Sequence, residues 1–176
     1  MTADQNMKIL VFGFKPYRNY KGNITEKIIK LLRDRSGLSK TVLPVQFDKK
    51  IFLKAVEKHK PDVVLGLGMH PRAKKIRIER RAKNIMRRSA GERLQKIENS
   101  APTFRFVNLK LKPDSRARIT YNAGDYVCNF CMYILSDIAE KKGIRFAFLH
   151  IPKDYKIKNA VKFIEEKIEK FLRLRR

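Results

Sequence analysis

Short apolar runs alternate with amphipathic stretches along most of this chain, and that alternation leaves few folds open to it. Lys8 to Phe12 (KILVF) is an apolar run closed by Gly13 and predicts a buried first strand. Asn23 stands as an N-cap with Glu26 three residues on, ahead of Ile28, Ile29, Leu31 and Leu32, which predicts a helix to about Arg35. Thr41 to Val45 predicts a second strand. Lys50 to His59 predicts a helix through Ile51, Phe52, Leu53 and Val56, stopped by Pro61-Asp62. Asp62 to Leu67 (DVVLGL) predicts a third buried strand. Residues 71–100 are basic and lack a clear period, with apolar triplets such as Ile76-Arg77-Ile78. Phe104 to Leu111 and Ala117 to Tyr121 alternate like strands. A helix then runs from about Tyr126 to Lys142, with Gly143 as its closing glycine. Arg145 to Ile151 (RFAFLHI) predicts a strand before Pro152. Asn159 is placed to cap a last helix with Val161, Ile164, Ile168 and Phe171 on one stripe, and Glu166 with Lys170 forms an i,i+4 pair on it.

Strands that alternate with helices imply an α/β fold. The expectation is a three-layer α/β/α arrangement of the phosphorylase/hydrolase kind, with a mostly parallel twisted central sheet and helices on both faces. At 176 residues, with no repeat and no low-complexity linker, residues 1–176 read as one domain, with a disordered polar tail at 1–6.

Charge is the second constraint. Lys and Arg number 42 against 17 acidic residues, for a net charge of +25. Such a surface attracts polyanions, so non-specific nucleic-acid binding is expected whether or not it is a function. Residues 71–96 hold eleven Lys and Arg, opposed only by Glu79 and Glu92, but no zinc-finger spacing or RNP pattern accompanies them. No run approaches 18 apolar residues, so no membrane span is expected. The first residues lack the apolar core of an export signal, and two cysteines make no disulfide framework; both point to the reducing cytoplasm.

Cys128 and His150 are the residues with a chemical reading. A thiol at the start of an apolar helix, followed by a histidine at the end of the next strand, is a way for nucleophile and base to meet in an α/β enzyme. The ends of parallel strands are where such folds carry their sites. A third group must orient the imidazole, and Glu79 is the only acid between Asp62 and Glu92. Its bland reading is a counter-charge for Arg77, Arg80 and Arg81. Cys128-Asn-Phe-Cys131 has C-x-x-C spacing, but no second pair follows, so zinc is not expected and Cys131 reads as a packing residue. His59 and His70 have no ligand-like company, and no metal is expected.

Read in order, these segments resemble the pyroglutamyl peptidase I family of cysteine peptidases. Lys8-Ile-Leu-Val-Phe-Gly-Phe-Lys-Pro16-Tyr17 is similar to the family opening, V-L-V-T-G-F-x-P-F. Asn23, Leu43-Pro44-Val45 and Pro61 to Gly68 match the blocks that follow. Ile78-Glu79-Arg80-Arg81-Ala82-Lys83-Asn84 is similar to I-E-R-x-A-x-N. Asn122 to Asn129 (NAGDYVCN) is similar to S-A-G-x-Y-x-C-N, and Phe148-Leu-His150-Ile-Pro152 to F-I-H-V-P. The resemblance implies a Cys128, His150 and Glu79 triad that removes N-terminal 5-oxoproline (pyroglutamate) from peptides without a cofactor. It implies that Phe14 and Tyr17 hold the lactam ring and that the Cys128 N–H serves the oxyanion.

The chain also departs from the family. Two glycines after the opening motif are Arg18 and Asn19 here, and a site-building Gln becomes Met69. The family's oxyanion-helping Arg falls near Arg87, Arg88 or Ser89. The chain is shorter around residues 90–115 and after Pro152, where the family carries substrate loops and oligomer contacts; an oligomer remains compatible with it. The leading expectation is therefore a pyroglutamyl peptidase. The rivals are a member of the same fold that binds nucleic acid with little peptidase activity, and a thiol-disulfide enzyme using Cys128 and Cys131.

Overall fold

The structure, a computed structural model, describes residues 7–173. The expected tail at 1–6 lies outside the described residues. Six strands form one sheet in the order β2-β1-β3-β8-β4-β7, where β1 is Ile9–Phe14, β2 Leu38–Leu43, β3 Val63–His70, β4 Ile76–Glu79, β7 Ala117–Thr120 and β8 Arg145–Pro152. The pairings β2-β1, β1-β3 and β3-β8 are parallel; β4 runs antiparallel to β8 and carries β7 parallel beside it. The sheet is thus mostly parallel, as expected. Strands β5 (Arg81–Lys83) and β6 (Phe104–Phe106) make a separate antiparallel pair.

Both faces of the sheet are covered because its central strands are apolar on both sides. On β1, Ile9 and Val11 face one core while Leu10, Phe12 and Phe14 face the other. Helices α1 (Ile24–Leu31) and α4 (Ile157–Arg173) cover the first face, with Ile28, Phe163, Ile164 and Ile168 fully buried. Helices α2 (Lys49–His59) and α3 (Val127–Lys142) cover the second. The same period-two alternation sorts β8, where Ala147, Leu149 and Ile151 join the α1/α4 core and Phe146 and Phe148 the α2/α3 core. His150 shares the parity of Phe148 and therefore belongs on the α3 side.

Several local expectations shift. The second strand begins at Leu38, because Gly37 takes φ 79 there and its carbonyl accepts the Ile9 N–H, and it ends before Pro44, which has no N–H to donate. Only Phe104–Phe106 of the expected strand 104–111 is a strand. The rest spends its hydrogen bonds elsewhere: Val107 N donates to Arg80 O, Leu109 N to Phe146 O, and Leu111 O accepts from the Arg80 guanidinium. Helix α4 starts at Ile157, so Asn159 lies inside its first turn rather than capping it. Glu166 pairs not with Lys170 but with Arg116, whose guanidinium also binds Asp114. Asn23 does cap α1, its Oδ1 accepting from Thr25 N at 2.9 Å.

Candidate active site

The site lies at the C-terminal end of the parallel strands, where three separately built segments converge. The first is the turn after β1. Thr25 Oγ1 accepts the Phe14 N–H at 3.0 Å, and Asn23 Nδ2 donates to Lys15 O at 3.2 Å, so the start of α1 fastens the loop that carries Tyr17. Tyr17 is half-buried against Tyr20 and Tyr126, with ring centroids at 5.3 and 5.7 Å. Burial, and next the negative charge of Cys128, push its phenol up to about 12. Phe14 is buried in the α2/α3 core, edge-on to Phe12. Arg18 takes φ 54, the left-handed region that favours glycine, and its guanidinium lies 4.6 Å from the Tyr126 ring centroid. The side chain that replaces a family glycine is thereby folded onto the aromatic wall of the site.

The second segment is the start of α3. Its N-cap, Tyr126, makes no side-chain capping bond, and Cys128 is the second residue of the helix. The first-turn N–H groups therefore keep their positive potential beside the thiol. Asn129, fully buried, pins this turn to the chain after β4: Oδ1 accepts from Lys83 N at 2.9 Å, and Nδ2 donates to Lys83 O and Ile85 O at 2.9 and 2.7 Å. Of the three candidates for the family's arginine, Arg87 bonds this segment. Its backbone N–H donates to Asp125 O at 2.7 Å and its Nε to Asp125 Oδ2 at 3.0 Å. Arg88 lies over the Phe47 ring and Ser89 bonds Glu92.

The third segment is the β8-β4-β7 edge. His150 Nδ1 lies 2.8 Å from Glu79 Oε1, and the other carboxylate oxygen accepts from Thr120 Oγ1 at 2.6 Å. The pairing puts these groups side by side: Glu79 sits opposite Phe148 on β8 and opposite Thr120 on β7. Glu79 is fully buried and His150 is 4% exposed. Glu79 is thus not the counter-charge of Arg77, Arg80 or Arg81; among the described residues none of these arginines pairs with it. Burial alone would lower the His150 pKa, but the charge and hydrogen bond of Cys128, then the hydrogen bond and charge of Glu79, outweigh it and raise it to about 9. The imidazole therefore bonds the carboxylate through Nδ1 and stands beside the thiol, both within 3 Å of the space a Gly68 Cβ would fill.

Gly68 is why thiol and imidazole can meet. A Cβ built on it would lie 2.6 Å from Cys128 Sγ and 2.9 Å from His150 Cδ2. Gly68→Ala is expected to push the two apart and lower kcat/KM about a hundredfold or more, with the circular-dichroism spectrum of the fold retained. Retention of wild-type turnover would mean that the thiol does not need that space.

Cys131, one turn on, is fully buried in the α2/α3 core; burial and then the Cys128 charge raise its pKa well above that of an ordinary thiol. Met69, at the family's Gln position, is 4% exposed and packs in the α1/α4 core, on the face away from Cys128. Part of the basic block is spent inside the fold. Arg80 is buried, Arg81 donates to Tyr121 O and covers the Phe104 ring, and Arg87 holds Asp125. Thr120, Asn129 and Gly68 carry the site without having been singled out by the sequence. For Asn129 and Gly68 the signal was their place in family-like blocks; for Thr120 there was none.

The model of the pyroglutamyl peptidase family matches residues 7–162 of this chain. The chain belongs to the pyroglutamyl peptidase family. The pyrrolidone-carboxylate peptidase of Pyrococcus furiosus is 34% identical, over 83% of this chain and 81% of that one. Pyrrolidone-carboxylate peptidase 1 of Saccharolobus solfataricus is 29% identical, over 83% of this chain and 79% of that one. A solved mutant pyrrolidone carboxyl peptidase from P. furiosus superimposes with a TM-score of 0.83 at 28% identity, covering 93% of this chain and 97% of that one. The pyrrolidone carboxyl peptidase from Thermococcus litoralis has the same fold, with a TM-score of 0.83 at 24% identity over 93% of this chain and 92% of that one. As a pyroglutamyl peptidase family member the protein is an enzyme of the hydrolase class. Among its described residues no helix is long and apolar enough to cross a membrane.

Proposed function

We propose that this protein is a cysteine peptidase that releases N-terminal pyroglutamate from peptides, with Cys128 as nucleophile, His150 as proton carrier and Glu79 as the group that orients His150. The observation that carries the reading is the Glu79–His150 hydrogen bond with Cys128 Sγ and the His150 ring gathered over Gly68, in a chain of this family.

The Cys128 sulfur attacks the carbonyl carbon that follows the lactam ring, its proton resting on His150. The oxyanion that forms lies at the start of α3, within reach of the Cys128 N–H. The C–N bond then breaks, and His150 hands its proton to the departing amine, leaving a thioester. Water, deprotonated by His150, attacks the thioester, and the C–S bond breaks. Pyroglutamate leaves and the thiol is restored. Glu79, held by Thr120, keeps the imidazole facing the sulfur and balances the imidazolium. Arg87 acts as a positioning residue by fixing Asp125, three residues before the nucleophile. Tyr17 offers its ring to the lactam, with Phe14 as the wall beneath. None of these steps calls for a metal or cofactor. A thiol that must stay reduced to act suits a cytoplasmic setting.

The test is hydrolysis of a fluorogenic pyroglutamyl amide by pure, reduced protein, with alanyl and prolyl amides as controls. Release at least about a hundredfold faster from the pyroglutamyl amide is expected, because a plain amine or imino terminus would bring an uncompensated charge into an aromatic slot. Equal cleavage of the three, or none of any by folded protein, would overturn the reading.

A further inference from the structure

The catalytic contacts leave Arg77, a charged side chain at the site, unused. Arg77 lies on β4 directly opposite His150 on β8, and directly opposed residues of an antiparallel pair present their side chains on one face. Glu79, two residues on, shares that face but is engaged by His150 and Thr120. Among the described residues Arg77 makes no ion pair, and its Nε is buried with no hydrogen-bond partner. A buried guanidinium N–H without an acceptor is costly, and a carboxylate is the acceptor that matches its fork.

His70 adds a second donor. Its Nδ1 accepts the backbone N–H groups of Arg72 and Ala73 at 3.2 and 3.0 Å. A neutral ring that accepts at Nδ1 carries its proton on Nε2, so Nε2–H is a donor. The ring packs edge-on to His150 with centroids 5.4 Å apart. Burial, then the charges of His150 and Arg77, lower its pKa to about 4, which keeps it neutral. Arg72, Lys74 and Lys75, all exposed on the turn from β3 to β4, make the approach more positive.

The sheet order says which end of a substrate would meet these donors. Tyr17 and Phe14 belong to β1 and the turn after it; Cys128 sits over Gly68 on β3; His150 is on β8 and Arg77 on β4. If the lactam lies on the β1 side of Cys128, the departing amine lies on the other side, toward His150, which protonates it. Arg77 is the next strand over.

We infer that Arg77, with His70 beside it, forms a carboxylate-binding subsite on the leaving-group side of Cys128, and that the preferred substrates are pyroglutamyl peptides bearing an anion on the residue after the lactam. The inference rests on the peptidase reading for what the anion belongs to. The carboxylate comes either from an acidic side chain or from the free C-terminus of a dipeptide.

Three peptides test it: pyroglutamyl-glutamine amide as the neutral reference, pyroglutamyl-glutamate amide, and pyroglutamyl-glutamine with a free carboxylate. Wild-type kcat/KM is expected to favour at least one anionic peptide by roughly tenfold to a hundredfold, and the favoured one identifies the source of the charge. That preference is expected to fall to about one in Arg77→Gln and to survive in part in Arg77→Lys. Lys142→Gln, which removes a charge at the far end of α3, is expected to leave it intact, separating a local contact from the field of the whole molecule. Affinities of the same peptides for the Cys128→Ala protein, with and without Arg77→Gln, give a reading that does not need turnover. Equal cleavage of all three peptides, or a preference that survives Arg77→Gln, would overturn the subsite and leave the peptidase standing. Absent cleavage with an Arg77-dependent affinity for the anionic peptides would overturn the peptidase and leave the subsite standing. No preference in affinity or turnover would overturn the subsite.

Discussion

Cys128→Ala is expected to lower kcat on a pyroglutamyl amide by about a millionfold, to the residual rate that binding and the oxyanion site alone support. His150→Ala is expected to lose nearly as much, and the double variant no more than the worse single one. In the proposed mechanism the two groups carry out one step: without the sulfur there is nothing for the imidazole to deprotonate, and without the imidazole the amine would leave without a proton. Cys131→Ala provides the contrast. Cys131 is fully buried in the α2/α3 core and shares no hydrogen bond with the catalytic groups, so its removal should cost some stability and leave kcat within a few-fold of wild type. A loss of activity in Cys131→Ala equal to that in Cys128→Ala, with both proteins folded, would point instead to a dithiol mechanism. Stopped assays on reduced protein, with circular dichroism on each variant, decide between these outcomes.

Glu79→Gln is expected to lower kcat by about a thousandfold or more and to move the alkaline limb of the pH profile downward. Glu79 presents two acceptor oxygens, and both are used, by His150 and Thr120. Glutamine has one acceptor oxygen and an NH2, so it must give up one of those bonds or force the Thr120 hydroxyl to turn, and in either case the negative charge is gone. The direction of the pH effect follows from the His150 pKa, raised from the ordinary 6.5 to about 9 in part by the Glu79 hydrogen bond and charge. A raised value means that the folded state holds the proton more tightly than the unfolded chain. The stabilisation is therefore complete below about 6.5 and is lost as pH rises through about 9. In the proposed mechanism the imidazolium that protonates the departing amine disappears over the same upper range, so wild-type kcat/KM should fall above about pH 9. Without the Glu79 charge that fall begins at lower pH. An alkaline limb unmoved in Glu79→Gln would mean that Glu79 does not act through the proton affinity of His150.

Much of this molecule is legible in the chain because its signals are local. The apolar runs that became β1, β3 and β8 are apolar on both faces, and that is readable without a partner. Asn23 caps its helix through an atom two residues away, and Gly143 closes another by taking a φ of 66. Cys128, His150 and Glu79 were legible as candidates because each falls in a short block of family-like spacing. The region from 71 to 111 was not legible in this way. Its strands are three or four residues long; Phe104–Phe106 and Arg81–Lys83 find strand partners in each other, and Lys83 takes its remaining bonds from Asn129, far along the chain. Val107 to Leu111 looked like a strand by alternation, but its donors and acceptors are taken by Arg80 and Phe146, which no local pattern reveals.

By itself the sequence determined the α/β alternation and the identity of the groups able to do chemistry. Tertiary structure decided which of them meet. The antiparallel entry of β4 between β8 and β7 sets Glu79 against His150 on one side and Thr120 on the other. The parallel pairing of β3 with β8, across the whole of residues 71–144, sets Gly68 beside His150. Strand β4 also brings Arg77 to the site, where among the described residues no carboxylate pairs with it. Side-chain chemistry is carried by each residue, but distance between residues far apart in the chain is set by strand register, which is fixed only when the whole sheet closes around its two cores.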